Sequence, residues 1–493
     1  MPTVNALPPR LRTATKLSYG FGSVAYGVAF AGLSGAVLQV YLNQVLGVPP
    51  LLVGTAIMVS LFVDALLDPL IGHWSDMTRT RWGRRHPFMY ASAVPVALFF
   101  FLLWNAPPGL SDGAVVAFTV AMMILVRISV SLYEIPSSAL TPELTTNYDE
   151  RTTLQSYRWF FGIIGGALIT LVLNEVFLRV GAHNTQGILN RRGYAQFGAL
   201  AAAVMFASIV LSAAGTHDRI ATLPPSHAHR TSLSQGWRAI RVTLTNRSLI
   251  ALMLGGTIGG VGGGVSQGLS IYLYTHFWNL SPNQFGILIP IGSIGSLLAV
   301  FLAPRLARVF GKKAAMIGLF SLSVVIAAGP IFLRLIGLMV SNDSPWLLLI
   351  LGLDGMVTST VAVVGFILVG SMMADVVEDA AVKSGVRSEG LLYAANGLLP
   401  KFTGGIGAFL AGLILTVVHF PAHAARGAVS PEIMRHLALI YLPVTVGLSV
   451  LSIAVLGLYR IDRATHDRNL EALAAATAAN FTPGIEAVEA RRT

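Results

Sequence analysis

Twelve apolar stretches, most of about 20 residues or more and separated by short polar loops, constrain this sequence more than any other feature. A helix rises 1.5 Å per residue, so about 20 residues cross a hydrocarbon layer roughly 30 Å thick. Backbone N–H and C=O groups find no water there, which leaves helices and closed barrels as the only spanning structures. The stretches are too long for barrel strands. They predict an all-α membrane protein with twelve transmembrane helices near 17–45, 51–73, 87–105, 113–137, 159–180, 194–214, 248–278, 284–303, 314–337, 346–373, 389–419 and 436–459. Only 11% of residues are charged, against about a quarter in soluble domains, so a water-coated globule is excluded.

The remaining charges sort by loop. With a cytoplasmic N-terminus, 25 of the 33 Lys and Arg fall in cytoplasmic loops and tails, six fall outside, and two, Arg127 and Lys401, fall inside spans. The net charge of +11 therefore reads as the bias that keeps basic loops in the cytoplasm, and no nucleic-acid partner is expected. An even number of spans puts both termini on the cytoplasmic face, here of a bacterial inner membrane. The chain has no cysteine, so disulfides and thiolate metal sites are excluded. The N-terminus lacks the apolar core of a signal peptide, and no cleavage is expected.

The longest interior connector, 215–247, divides the spans six and six. The expected organisation is a cytoplasmic N-terminus (1–16), an N-terminal six-helix bundle (17–214), a cytoplasmic linker (215–247), a C-terminal six-helix bundle (248–459) and a cytoplasmic tail (460–493). Within the linker, Leu233 to Leu244 reads as a short basic amphipathic piece on the bilayer surface. The loops at 72–87 and 303–315 hold clustered basic residues at matching places in the two halves. That is the echo expected of parallel internal duplication, although cytoplasmic loops are basic in any case. Gly255, Gly256, Gly259, Gly260, Gly262, Gly263 and Gly264 crowd one span. Small residues let helices approach closely, which suits a moving interface and a static contact equally.

Ionisable groups at mid-membrane cost several kcal/mol and persist when paired, hydrated or functional. Asp64 and Asp68 in FVDALLDPL are four residues apart, stacked on one helix face about 6 Å from each other. Like charges there repel, so a bound cation, a proton or a neighbouring base must hold them. Glu134, with Ser131 one turn earlier, lies at similar depth on another span running the same way. Such oxygen ligands suit H⁺, Na⁺ or Li⁺ rather than a transition metal. Lys401 lies near the bilayer centre and is the obvious counter-charge; a lysine that yields to an arriving cation gives coupling by competition. A permanent structural ion-pair network is the plainer alternative. Arg127 precedes Glu134 by two turns on a similar face and is a candidate charge partner for one carboxylate.

At these residues the chain resembles the glycoside-pentoside-hexuronide:cation symporter family, melibiose-carrier-like, of the major facilitator superfamily. The resemblance covers most of 16–460 and rests on LSYGFGS beginning at Leu17, FVDALLDPLIGHWSD at 62–76, RTRWGRRHPF at 79–88, YEIPSSALTPEL at 133–144, MMADVVEDAAVKSGVRSEGLLYA at 372–394, and Lys401 falling 26 residues after Asp375. It implies that Asp64, Asp68, Ser131, Glu134 and Lys401 form a cation site. It also implies that Glu134 and Arg158 touch sugar, and that Phe366 faces it. Four positions depart from the melibiose-carrier pattern. The Lys-Asp pair of helix I is Tyr26 and Gly27 here, an Asn of the cation site is Leu67, and a Trp beside the sugar is Ser138. A different glycoside is then expected, stacked on Tyr26 or Phe366, with Arg158, Glu134 and Asn396 meeting its hydroxyls.

The expectation is a transporter, not an enzyme, that moves a sugar or glycoside by alternating access, coupled to H⁺ or Na⁺ and without any other cofactor. The same fold carrying an amphipathic lipid or drug-like solute, or an uncoupled facilitator, is the alternative. A sensor would need an output module, and the tail 464–493 is too short for one. A cytoplasmic gate is expected where Asp76, Arg79, Arg81, Arg84 and Arg85 exchange salt bridges with Glu143 or Glu378, and those arginines also suit anionic headgroups. A monomer in a lipid bilayer is the default.

Overall fold

A computed structural model describes residues 11–145, 148–180, 187–222, 247–384 and 389–461, together with 465, 468 and 471. Side chains at 112, 142, 148–149, 152, 221–222, 374, 377–378, 380–384 and 389–397 are not described. The expected surface segment at 233–244 lies outside the described residues.

The described chain is helical. In order the helices are α1 (Thr13–Phe21), α2 (Ser23–Gly32), α3 (Gly35–Val40), α4 (Pro50–Met77), α5 (His86–Trp104), α6 (Asp112–Leu144), α7 (Tyr148–Val172), α8 (Arg191–Gly215), α9 (Arg247–Tyr272), α10 (Pro282–Phe310), α11 (Lys312–Leu335), α12 (Pro345–Ser384), α13 (Glu389–Val417) and α14 (Pro431–Leu456). Among the described residues eleven helices are long and apolar enough to cross a membrane. A bent pair, Thr13–Gly32 and Gly35–Val45, makes the twelfth span, with a 42° break between its halves. Ser34, extended at the break, interrupts what the apolar pattern reads as one continuous span.

Local chemistry sets the helix ends. Prolines open α4, α10, α12 and α14, where a missing N–H costs nothing. Ser111 and Asn190 cap α6 and α8 by accepting from Ala114 N and Gly193 N. Gly311, at φ 78°, turns the chain from α10 into α11 in a single residue, a conformation that a Cβ would strain.

By contacts the chain forms two compact units. The first comprises Met1–Ala228, Gly263–Pro290 and Lys401–Tyr441. Its core holds an aromatic cluster in which Trp104 meets Tyr41, Tyr194 and Phe197 at centroid distances of 4.7, 5.7 and 5.1 Å. The start of α1 is tied down by Glu150, which accepts from the Leu11 amide and the Thr145 hydroxyl, both at 3.0 Å, and pairs with Lys16 at 2.8 Å. Burial opposes ionisation of Glu150, but Lys16 and these two donors outweigh it and hold the carboxyl below the ordinary carboxylate range. The second unit comprises His229–Gly262, Ile291–Pro400 and Leu442–Thr493. Leu249, Met316, Val364, Met372 and Tyr459 belong to its core, and Lys312 there holds both oxygens of Asp375 at 2.7 Å. Large apolar side chains such as Leu66, Leu70, Phe301 and Val325 are exposed on helix faces, as hydrocarbon solvation requires.

Candidate functional site

The site grows from α4. Helical spacing stacks Asp64 and Asp68 on one face, and the helix passes through Pro69 one residue later. On α6, Ser131 Oγ lies 2.8 Å from Asp64 Oδ1 and 2.9 Å from Asp68 Oδ1. A hydroxyl carries a single hydrogen, so both contacts are linear hydrogen bonds only when one carboxyl is itself protonated and donates to Ser131. The other carboxylate oxygens face Lys401 of α13, whose Nζ lies 2.8 Å from Asp64 Oδ2 and 2.5 Å from Asp68 Oδ2.

Small residues bring that lysine within reach. A Cβ on Gly54 would meet Ala408 O at 2.5 Å, one on Gly405 would meet Met58 Cα at 3.2 Å, and one on Gly412 would meet Pro50 O at 2.4 Å. Backbones of α4 and α13 therefore run in contact, with the rings of Phe62 and Phe402 tilted against each other at 4.7 Å beside Lys401.

A second cluster lies beside the first. Glu134 Oε1 accepts a hydrogen bond from Arg158 Nη2. Arg158 Nη1 also donates to Ser137 Oγ at 2.8 Å and to the Tyr19 hydroxyl at 3.2 Å. Tyr19 in turn donates to the Ser137 carbonyl at 2.7 Å and lies 2.6 Å from the Thr141 hydroxyl. The guanidinium is thus fixed on three sides. Glu134 Oε2 is buried and has no hydrogen-bond partner among the described residues.

Arg127, half-buried, bonds no carboxylate among the described residues. Its Nε donates to Ser60 Oγ at 3.0 Å and its Nη2 to the Leu33 carbonyl at 3.4 Å, at the break in the first span. Tyr26 is 45% exposed, and its hydroxyl lies within electrostatic reach of Glu134, Asp64, Asp68 and Arg127. Phe366 belongs to the second unit and is 60% exposed. The side chain of Asn396 lies outside the described residues.

At the end of α4 that leads into the loop 78–85, Arg85 pairs with Asp76 at 2.6 Å and with Glu143 at 3.0 Å, and donates to Ser75 at 2.9 Å. Arg84 joins Glu143 at 2.9 Å. Arg79 is exposed and makes no ion pair among the described residues. The expected partner Glu378 has a side chain outside those described.

The opposite end of α4 is closed by contacts that sequence reading missed. Gln44 accepts from the Ala424 amide at 2.9 Å through Oε1 and donates to the Pro421 carbonyl at 3.0 Å through Nε2. The Gln44 carbonyl lies 2.9 Å from His423 Nδ1, and the Tyr272 hydroxyl donates to Asn43 Oδ1 at 2.9 Å. Gly264 and Gly407 meet backbone to backbone in the same unit. Nothing in a glutamine's local sequence signals this clasp. Ser60 and Ser137, by contrast, lie one turn from Asp64 and Glu134 and were findable by helical spacing.

An isoprimeverose transporter of Lactiplantibacillus pentosus is 26% identical over 457 residues, 91% of this chain and 88% of that protein. A putative 2,3-dihydroxypropane-1-sulfonate exporter of Escherichia coli is 27% identical over 484 residues, 94% of this chain and 96% of that one. The inward-open structure of the xylose transporter XylE from E. coli matches with TM-score 0.61 at 17% identity, over 93% of this chain and 98% of that one. It shows the major facilitator fold. These proteins are transporters, not enzymes. The family model described as MFS/sugar transport protein matches residues 18–463, and the chain belongs to that family.

Proposed function

We propose that this transporter is a symporter that moves a polyhydroxylated solute of the sugar or glycoside class together with H⁺ or Na⁺. The observation that carries the reading is Lys401 bridging Asp64 and Asp68, with Ser131 closing the same pair from α6. An ammonium between two carboxylates occupies the place a small hard cation would take. A cation arriving from one side displaces it, so the lysine-held and cation-held states compete. The shared Ser131 hydrogen bond favours a proton at this pair. Glu134 Oε2, buried and without a hydrogen-bond partner among the described residues, and Arg158, fixed beside it, are the hydroxyl-recognising pair, with Tyr26 as an apolar platform.

In this reading the carrier exposes the site alternately to each side of the membrane. The Gln44 clasp closes one end, and Arg84 and Arg85 with Glu143 latch the other when it shuts. Cation and solute together stabilise the occluded state more than either does alone, which makes the cycle symport rather than leak. The positive-inside bias supports a bacterial inner membrane, both termini cytoplasmic, and a monomer suffices for the mechanism.

Counterflow in proteoliposomes with radiolabelled glycosides, varying Na⁺ and pH separately, tests the reading. Solute exchange stimulated by one of the two ions is expected. Exchange indifferent to both removes the coupling while leaving transport in place.

A further inference from the structure

The second unit holds a carboxyl that none of the machinery above uses. Asp354 of α12 lies within the span Pro345–Met373, about 8 Å along the helix from the middle of that span and well inside a hydrocarbon layer roughly 30 Å thick. Helical spacing puts it on the stripe of buried Leu347, Leu351, Val361, Leu368 and Met372. That stripe meets α11, where a Cβ on Gly365 would strike the Phe320 ring. α10 crosses alongside, with Thr360 donating to the Gly295 carbonyl at 3.0 Å. Asp354 therefore faces protein within the second unit rather than lipid.

Nothing on these helices neutralises a negative charge at that place. Asp354 makes no ion pair among the described residues, and its Oδ1 is buried without a hydrogen-bond partner among them. Thr358, one turn on, spends its hydroxyl on the Asp354 backbone carbonyl at 2.8 Å. Lys312 and Lys313 of α11 and Arg305 and Arg308 of α10 stand at the other end of their helices. Arg334, at the near end of α11, gives Nη2 to Asn342 Oδ1 at 2.6 Å. Asp375, Glu378, Asp379 and Lys383 of α12 itself are about 30 Å or more away along the axis. An ionised carboxylate in such surroundings costs several kcal/mol, so Asp354 holds a proton. An acid kept for structure alone would be satisfied by hydrogen bonds. This one is not, and its half-buried side chain can release the proton wherever the transport cycle brings water to it.

We propose that Asp354 is a second proton-binding site, separate from the Asp64 and Asp68 pair, and that its proton crosses the membrane with the solute. This rests on the symport reading above and adds one proton to each cycle, so two ions accompany each solute.

Infrared spectra of the reconstituted native protein at neutral pH should contain the C=O stretch of a protonated carboxylic acid that Asp354→Asn lacks, and raising the pH should convert that band to carboxylate. Asparagine has nearly the shape of the neutral acid, so the variant should keep counterflow of the two probes, methyl β-D-glucoside and methyl β-D-xyloside. One proton crossing a pH gradient of one unit is worth a factor of about ten in accumulation. The ceiling of pH-driven accumulation of the exchanged probe should therefore fall about tenfold in Asp354→Asn. Should that variant fail to fold, dicyclohexylcarbodiimide, which modifies protonated carboxyls in apolar surroundings, decides on the native protein. Peptide mapping should find Asp354 modified at neutral pH and progressively spared as pH rises, and an Asp354 spared throughout overturns the inference. The same acid band in both proteins, equal accumulation ceilings, or accumulation driven by Na⁺ and indifferent to pH overturns it while leaving symport standing. Exchange of neither probe counts against the symport reading itself, and the inference falls with it.

Discussion

Lys401 Nζ lies 2.5 Å from Asp68 Oδ2, joining two residues 333 positions apart in the chain. Both side chains are about a quarter exposed, so the pair is shielded without being sealed. Removing one partner of such a pair leaves a poorly solvated charge, at a cost of about 3 kcal/mol. Asp68→Asn should therefore lower gradient-driven accumulation about tenfold or more while solute exchange without a gradient changes little. Accumulation and counterflow measured on the same vesicles check this, and equal loss of both argues against a dedicated ion role.

Gln44 is fully buried, and two of its side-chain bonds reach the segment 421–424. Each is worth about 1 kcal/mol net, so Gln44→Ala should weaken closure at that end by roughly thirtyfold. The chain lacks cysteine, so one Cys introduced at buried Ala408 reports opening cleanly. Maleimide labelling of that Cys should accelerate in Gln44→Ala. An unchanged labelling rate would show that the clasp does not hold the seam.

Glycines along the crossing of α9 and α13 are not equivalent. A Cβ on Gly407 would lie 2.5 Å from Gly264 Cα, whereas one on Gly263 would meet nothing within 4 Å. Gly407→Val should cost about 1–3 kcal/mol or more through overpacking. Gly263→Ala should leave stability unchanged or raise it by up to ~1 kcal/mol through helix propensity. Thermal unfolding in detergent distinguishes the two, and equal tolerance at both positions would contradict the close backbone crossing.

Acid should loosen the start of α1 through Glu150. Its carboxyl is held below the ordinary range, chiefly by Lys16, against the opposing effect of burial. A group with a lowered folded pKa contributes stability above its unfolded pKa, near 4.5 for this residue type, and loses it as pH falls through the folded value. The native protein should therefore lose more melting temperature than Glu150→Gln between about pH 5 and pH 3. Above pH 6 the variant should be the less stable by about 1 kcal/mol. Parallel melting curves across pH would refute the anchoring role.

The apolar runs by themselves determined the number of spans and the α-helical class, because a bilayer admits few other solutions for such a chain. Helical spacing within one segment also placed Asp64 over Asp68 and Ser131 near Glu134, since neighbours at i and i+3 or i+4 share a face wherever the helix goes. Partner choice between segments was another matter. Arg127 and Glu134 share a helix face, yet Glu134 is bound by Arg158 from α7, and Arg127 turns to Ser60 and the Leu33 carbonyl. Which base meets which acid depends on how helix backbones cross, at Gly54, Gly405 and Gly412 for Lys401. The break at Ser34 and the Gln44 clasp likewise arise from packing across the chain. Side chains reach only a few ångströms, so distances between helices, absent from any local pattern, decided the wiring of the site.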